Sequence, residues 1–202
     1  MNLIYLYIRL LKTFLLEKTT CITPRLKIRN LRESDLDAFH QYRSNPDITR
    51  YQGFNTFTLQ QSQDFIASQT NNLRIIPGEW SQYGIENISS AQLVGDCAIY
   101  LQMADSRIAE IGITISHLHQ RLGYAKEAML GLINFLFREK GIHRIVETVD
   151  ADNIASIQML KSLSFREEAH FIESVFFKGR WGSEYQFALL KNEWEHNEVY
   201  CL

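Results

Sequence analysis

Neither sign of charge dominates this chain: the formal net charge is −2 with histidine neutral. That balance lacks the basic footprint of a nucleic-acid binder and the basic attraction that holds proteins on anionic membranes. Cysteine is scarce and odd in number, and Cys21, Cys97 and Cys201 are widely spaced. A disulfide framework and a cysteine zinc site are thereby disfavoured, and a reducing, cytoplasmic setting is expected. Cys97, inside an apolar run, reads as a small buried hydrophobe. Repeats, low-complexity tracts and internal linkers are absent, which leaves one domain with an extension as the expected organisation.

A charge-free hydrophobic span is missing as well. Leu3, Ile4, Leu6, Tyr7, Leu10, Leu11, Phe14 and Leu15 make an apolar start, but Arg9 and Lys12 interrupt it. A transmembrane helix needs about 18 or more apolar residues in a row. A secretory signal would need a basic start and a small-residue cleavage site, and neither is present. Residues 1–22 therefore read as an apolar, helical extension, with residues 23–202 as the domain proper. The extension is compatible with packing on the domain or on a partner subunit, with lying on a membrane surface through Arg9 and Lys12, or with an incorrectly assigned start codon.

What is present is an ordinary globular composition, 46% hydrophobic and 22% charged over 202 residues, enough to bury a full core. Leu26 and Ile28 alternate with charged residues as in an edge strand. Ser34 is then the expected N-cap of a helix with Asp37 in its first turn and Leu36, Phe39 and Arg43 or His40 on one face, ended by Asn45-Pro46. Thr58 and Gln61 form a capping box that opens a helix burying Phe65 and Ile66. Three strand-like runs follow, Trp80 to Ile85, Leu93 to Leu101 and Ile108 to Ile115. The turns between them, Asn87-Ile88-Ser89-Ser90 and Ala104-Asp105-Ser106, imply an antiparallel meander. A helix ending near Gly141 and a strand from Arg144 to Val149 imply a parallel crossover, hence a mixed sheet.

The centre of the chain is a strand, a loop and a helix. Ile111, Ile113 and Ile115 alternate with smaller or polar residues; Gln120-Arg121-Leu122-Gly123-Tyr124-Ala125-Lys126 follows; then Ala128, Met129, Leu132, Ile133 and Leu136 fall at helical spacing. A helix N-terminus offers free amides and partial positive charge to a phosphate. Gly123 removes the side chain where that phosphate would approach, and Ala125 keeps the first turn open. The strand, loop and helix resemble the acetyl-CoA signature of the GNAT N-acetyltransferases. Three further segments agree in order: Thr23-Pro24-Arg25-Leu26-Lys27-Ile28-Arg29 with Asn45-Pro46-Asp47-Ile48-Thr49-Arg50-Tyr51; Asn153-Ile154-Ala155-Ser156 through Lys161 to Phe165; and Phe176-Phe177-Lys178-Gly179-Arg180-Trp181 leading to Glu193-Trp194. The opening is similar to the RimJ/RimL branch, which acetylates ribosomal-protein N-termini. The sequence departs from the pattern at Ser164, where glycine is usual, and at Gly182-Ser183-Glu184, where an aspartate is usual.

The resemblance implies an α/β GNAT fold: a mixed, twisted sheet with splayed central strands and flanking helices. It implies transfer of acetyl from acetyl-CoA to a primary amine without a covalent enzyme intermediate or a metal. A protein or peptide N-terminal α-amine is the expected acceptor; a small amine such as a polyamine, aminoglycoside or amino-acid derivative is the alternative, and a non-catalytic acyl-CoA-binding module the rival from another class. A homodimer is left open. Cofactor contacts are expected from Ile113, Ile115, Gln120, Arg121, Gly123, Tyr124, Ala125, Lys126 and Asn153, and the acceptor wall from residues 50–57, with Asp47 the main acid near it. An amine with pKa near or above ~8 must lose a proton before attack, and a positioned base contributes roughly 10²–10⁴-fold. Glu110 is the expected base, with Glu173 as a possible stand-in because a RimL-type glutamate aligns nearer Val175 on the same strand face. Ser156 is the expected acid, since the tyrosine used by many relatives is replaced by Leu160. Each has a structural alternative: Glu110 as a carboxylate that pairs with arginine or positions a water, Ser156 as a hydroxyl bonded to backbone, Asn153 as a helix cap. His117-Leu118-His119 looks like a metal pair but lacks acidic or cysteine partners at ligand spacing.

Overall fold

The computed structural model describes residues 19–70 and 75–196. Its strands are β1 (Thr19–Ile22), β2 (Leu26–Asn30), β3 (Trp80–Asn87), β4 (Leu93–Leu101), β5 (Ile108–Ile115), β6 (Arg144–Asp150), β7 (Arg166–Phe177) and β8 (Arg180–Leu190). Its helices are α1 (Leu36–Arg43), α2 (Pro46–Thr49), α3 (Leu59–Thr70), α4 (Tyr124–Asn134), α5 (Ile154–Ser162) and α6 (Lys191–Glu195). The strands form one sheet in the order β1-β2-β3-β4-β5-β6-β8-β7. Strands β1 to β5 are an antiparallel meander, β6 joins β5 in parallel, and β8 sits between β6 and β7. The sheet is mixed, as the turn chemistry and the helix between β5 and β6 implied. The Asn87 side chain makes the first turn, its Oδ1 accepting from the amides of Ser89 and Ser90 at 3.0 Å each.

The ladder between β5 and β6 stops early. Ile108, Ala109 and Glu110 pair with Arg144, Ile145 and Val146, and there the pairing ends. Strand β5 stays bound to β4 out to Ile115, opposite Gly95, while β6 stays bound to β8 out to Asp150, opposite Glu184. Two strands each held on their outer side and released on their inner side must diverge. The amide of Ile111, the next group on β5 facing the gap, is taken by the Glu147 carboxylate at 2.8 Å. A side chain thus stands where the ladder would have continued.

Helix α4 lies over β5 with Ala128, Met129, Leu132 and Ile133 buried against Ala109, Ile111 and Ile115. Each fully buried aliphatic side chain contributes roughly 1.5–3 kcal/mol relative to exposure, so this contact fixes where the helix begins. A second cluster, Leu31, Phe39, Tyr42, Ile66 and Leu93, seats α1 and α3 on the other part of the sheet. Asp96 on β4 pins α1 there, accepting from the Tyr42 hydroxyl at 2.5 Å, from Arg43 Nη2 at 2.5 Å and from Arg43 Nε at 3.1 Å. Burial and the neighbouring Asp96 charge push the Tyr42 phenol well above its ordinary pKa.

Three local expectations need correction, and one is borne out with an addition. Ser34 does not cap α1: a 3-10 turn, Glu33–Asp35, precedes it, and the Asp35 carboxylate accepts from the Arg32 amide at 2.8 Å. Asp35 wins because Arg29 already grips it through Nη1 and Nη2. Asn45-Pro46 stands at the end of α1 as expected and in addition starts α2, with Asn45 Oδ1 accepting from the Asp47 amide. Thr19–Ile22, assigned to the helical extension, is a strand paired with β2; the rest of that extension lies outside the described residues. The shared face of Glu173 and Val175 is lost, because the β7 register shifts between Phe171 and Val175 and Glu173 takes φ 45°. The Thr58–Gln61 capping box is present in both directions, at 2.8 and 3.2 Å.

Candidate active site

Beyond β5 the chain makes a 3-10 turn, His117–His119, and then a loop with two left-handed residues: Arg121 has φ 62°, strained for a residue with a side chain, and Gly123, the N-cap of α4, has φ 81°. A side chain at Gly123 would be in the left-handed region and its Cβ would stand 3.3 Å from Arg25 Nη2. The first helical bond runs from the Glu127 amide to the Gly123 carbonyl, so the amides before it have no intrahelical acceptor and suit an anion. The loop is tied at both ends. Gln120 Nε2 donates to the Ile115 carbonyl at 3.2 Å, and Asn87 Nδ2 donates to the Tyr124 hydroxyl at 2.9 Å.

A cavity of about 660 Å³ opens at this loop. Ile113, Ile115, Gln120, Arg121, Gly123, Tyr124, Ala125 and Lys126 line one side, Asn153 and Ser156 a second, and Asp47, Ile48, Tyr51 and Gln52 a third. All nine expected cofactor residues and Ser156 therefore meet around one space. Of the residues expected to form the acceptor wall, 50–57, Tyr51 and Gln52 line the cavity, beside Asp47 and Ile48. Phe57 packs instead against the α1–α3 cluster with Phe39 and Phe65. The β7–β8 hairpin reaches across to this wall, where Lys178 Nζ donates to the Thr49 carbonyl at 2.5 Å and burial lowers its pKa. A second cavity of about 650 Å³ lies behind α4 and shares only Gly123 and Lys126 with the first.

Residues Asn153 and Ser156 divide their duties. Asn153 Oδ1 accepts from the Ser156 amide at 3.3 Å and so caps α5. The Ser156 hydroxyl has no hydrogen-bond partner among the described residues and faces the cavity, so the backbone-bonded alternative for it is not what the structure contains. Glu110 is half-buried at the closed end of the splay, opposite Val146, and is not part of the cavity wall. Glu173 is exposed in the β7 irregularity, its amide bonded to Ser183 Oγ, and it too is off the wall.

Sequence reasoning missed one carboxylate. Glu147 bridges the splay to the Ile111 amide; burial and the nearby Glu110 charge push its pKa well above the ordinary carboxylate value. It was hidden in an apolar strand, and no local pattern says that a glutamate there replaces a backbone partner. Asp47, the main acid expected near the acceptor wall, is the one carboxylate among the described residues that line the cavity. Among the described residues no group of three or more histidine, cysteine, aspartate or glutamate side chains could hold a metal ion. No helix among them is long and apolar enough to cross a membrane.

A mixed sheet with a splay between parallel strands, a glycine-opened helix beside it and a ligand-sized cavity between is the architecture of an acyl-CoA N-acyltransferase. Residues 25–166 match the family model for the acetyltransferase (GNAT) domain. An N-acetyltransferase of Bacillus licheniformis is 32% identical over 176 residues, 87% of this chain and 98% of that protein. The spermidine N(1)-acetyltransferase of Vibrio cholerae is 23% identical over 173 residues, 86% of this chain and 97% of that one. Among solved structures, a GNAT-family acetyltransferase from Bacillus anthracis superposes with a TM-score of 0.78 at 25% identity, over 86% of this chain and 99% of that chain. The ribosomal-protein acetyltransferase RimL in complex with coenzyme A superposes with a TM-score of 0.74 at 16% identity, over 87% and 99%. The chain belongs to the GNAT acetyltransferase domain family and is a GNAT-family N-acetyltransferase.

Proposed function

We propose that the enzyme transfers acetyl from acetyl-CoA to a protein or peptide N-terminal α-amine. The observation that carries this reading is the shared cavity, where the phosphate loop, the free edge of β5, the Ser156 hydroxyl and an acceptor wall with a single carboxylate all meet. The residues present fit such a donor. Gly123 leaves its approach open, the unpaired amides at the start of α4 and the side chains of Arg121 and Lys126 suit phosphates, and β5 beyond Ile111 has a free edge for an extended amide chain. Bound there, acetyl-CoA supplies an acetyl group activated on sulfur.

The rest is work for side chains. Asp47 receives the ammonium form of the acceptor at the mouth. Glu110 takes the proton from that amine through one water, since the side chain stands behind the cavity wall rather than on it. Ser156 Oγ, without a partner of its own, holds the proton that the leaving sulfur takes; a thiol of pKa about 8.5 asks little of that acid. One acidic side chain on the wall suits a single amine. A polycation would be better served by several carboxylates. The likeness to spermidine N(1)-acetyltransferase supports acetylation of a small polyamine as the second reading. A cytoplasmic setting belongs to the proposal, supported by the free thiols of Cys21 and Cys97.

Thiol release from acetyl-CoA against N-terminal peptides, spermidine, aminoglycosides and free amino acids tests this. Turnover is expected with unblocked peptides and not with the same peptides carrying a blocked N-terminus. A preference for spermidine would replace the peptide reading with the polyamine one. Binding of acetyl-CoA without turnover on any acceptor would leave a non-catalytic binding module.

A further inference from the structure

The phosphate loop has a charged neighbour that comes from the far side of the sequence. Arg25 stands in the turn between β1 and β2, and its guanidinium is held on three sides. Nε meets Glu127 Oε2 at 2.6 Å, Nη1 donates to the Leu122 carbonyl at 3.0 Å, and the group lies 4.8 Å from the centre of the Tyr124 ring. Glu127 is itself fixed, accepting from Thr23 Oγ1 at 2.6 Å and from the Arg25 amide at 2.8 Å. Nη2 is left without an acceptor among the described residues, 3.3 Å from where a side chain at Gly123 would begin.

A half-exposed arginine with this many fixed contacts has already lost the rotamer freedom that makes surface arginines poor ligands. The contacts also answer an electrostatic problem. Glu127 lies in the first turn of the helix whose N-terminus is to take a phosphate, and an unpaired carboxylate there would repel it. Arg25 neutralises Glu127 with one edge of its fork and turns the remaining donor towards the loop. The geometry points to Arg25 as a phosphate-binding residue for the diphosphate of acyl-CoA, supplied by the β1–β2 turn to the start of α4. This rests on the acetyl-CoA reading proposed above.

Calorimetric titration of the purified full chain with CoA and with dephospho-CoA tests the assignment. Arg25→Met is expected to weaken both ligands by the same factor, about 10- to 100-fold for one charge-assisted hydrogen bond, and to flatten the salt dependence of binding. With phosphate-free S-acetylpantetheine as donor, the loss in kcat/KM is expected to stay within about threefold, the limit set by the removed packing on Tyr124. Should Arg25→Met fail to fold, Arg25→Lys, which keeps the charge without the fork, is expected to give an intermediate loss. Unaltered CoA affinity would overturn the assignment, as would an equal loss with S-acetylpantetheine, which would make Arg25 a packing residue of the β1–β2 turn. A loss with CoA but none with dephospho-CoA would move the contact to the 3′-phosphate and overturn the diphosphate site. Wild-type protein that binds neither CoA nor dephospho-CoA would sink the donor reading itself, a different result from a variant that binds as well as wild type.

Discussion

At residue scale the site depends on two groups of opposite character, one defined by a missing side chain and one by an unused hydroxyl. Gly123 holds φ 81° with Arg25 Nη2 against the space a Cβ would fill. Gly123→Asp adds backbone strain and a negative charge where a phosphate is to sit, and is expected to weaken CoA binding by at least about 100-fold. Calorimetry measures that loss, with circular dichroism confirming that α4 persists; retained affinity would remove the loop from the binding site. Ser156→Ala is expected to lower kcat by about 10- to 100-fold with donor KM nearly constant, because Asn153 caps α5 through the Ser156 amide and not its hydroxyl. Glu110→Gln is expected to slow turnover and leave CoA affinity in place; unchanged kcat across the pH range would end its assignment as base.

The elements show where local chemistry was readable and where it was overruled. The capping box of α3 is a contact three residues long, so Thr58 and Gln61 announce it in the sequence. The start of α1 depends instead on Arg29 drawing Asp35 into a buried ion pair with Glu86 close by, and no local rule for Ser34 could include that pull. The end of α5 is a milder case. Ser164 adopts φ 63° in the turn where glycine is usual, so the helix stops in the expected place with a strained residue. Ser164→Gly is expected to stabilise the protein by about 1 kcal/mol, read as a shift of the denaturation midpoint at constant slope. No shift would mean that interactions of the serine side chain offset the strain.

Across the molecule, two carboxylates couple the sheet to pH with opposite signs. Glu168 on β7 pairs with Arg144 on β6 and with Arg166, and these guanidinium groups hold its pKa down to about 2. Its stabilisation is present above the unfolded value of about 4.3 and is lost as pH falls from there towards about 2. Glu147 is shifted upward by burial and by Glu110. Its folded state holds the proton more tightly, so its contribution is full below about 4.3 and declines as pH rises through the folded pKa. Glu147→Gln keeps an oxygen for the Ile111 amide and removes that titration. Between pH 5 and 8 the variant is expected to lose less stability than wild type in chemical denaturation, and parallel curves would show that the Glu147 ionisation is not linked to folding.

Most of the order of strands and helices, the family and the residues around the phosphate loop were legible from the sequence alone, because they rest on periodicity, turn residues and contacts a few positions long; β1 and α2 were not. Ile111, Ile113 and Ile115 declare a strand and Gly123 with Ala125 a helix entrance whatever surrounds them. Only the tertiary structure decided which strand lies between β6 and β7, where the β5–β6 ladder ends, that Glu147 fills the gap, that Glu110 and Glu173 stand off the cavity, and that Arg25 comes to stand beside Gly123. Those outcomes depend on groups brought together from distant parts of the chain by burial and ion pairing, and the free energy of such contacts is set by packing geometry that no short window of sequence contains.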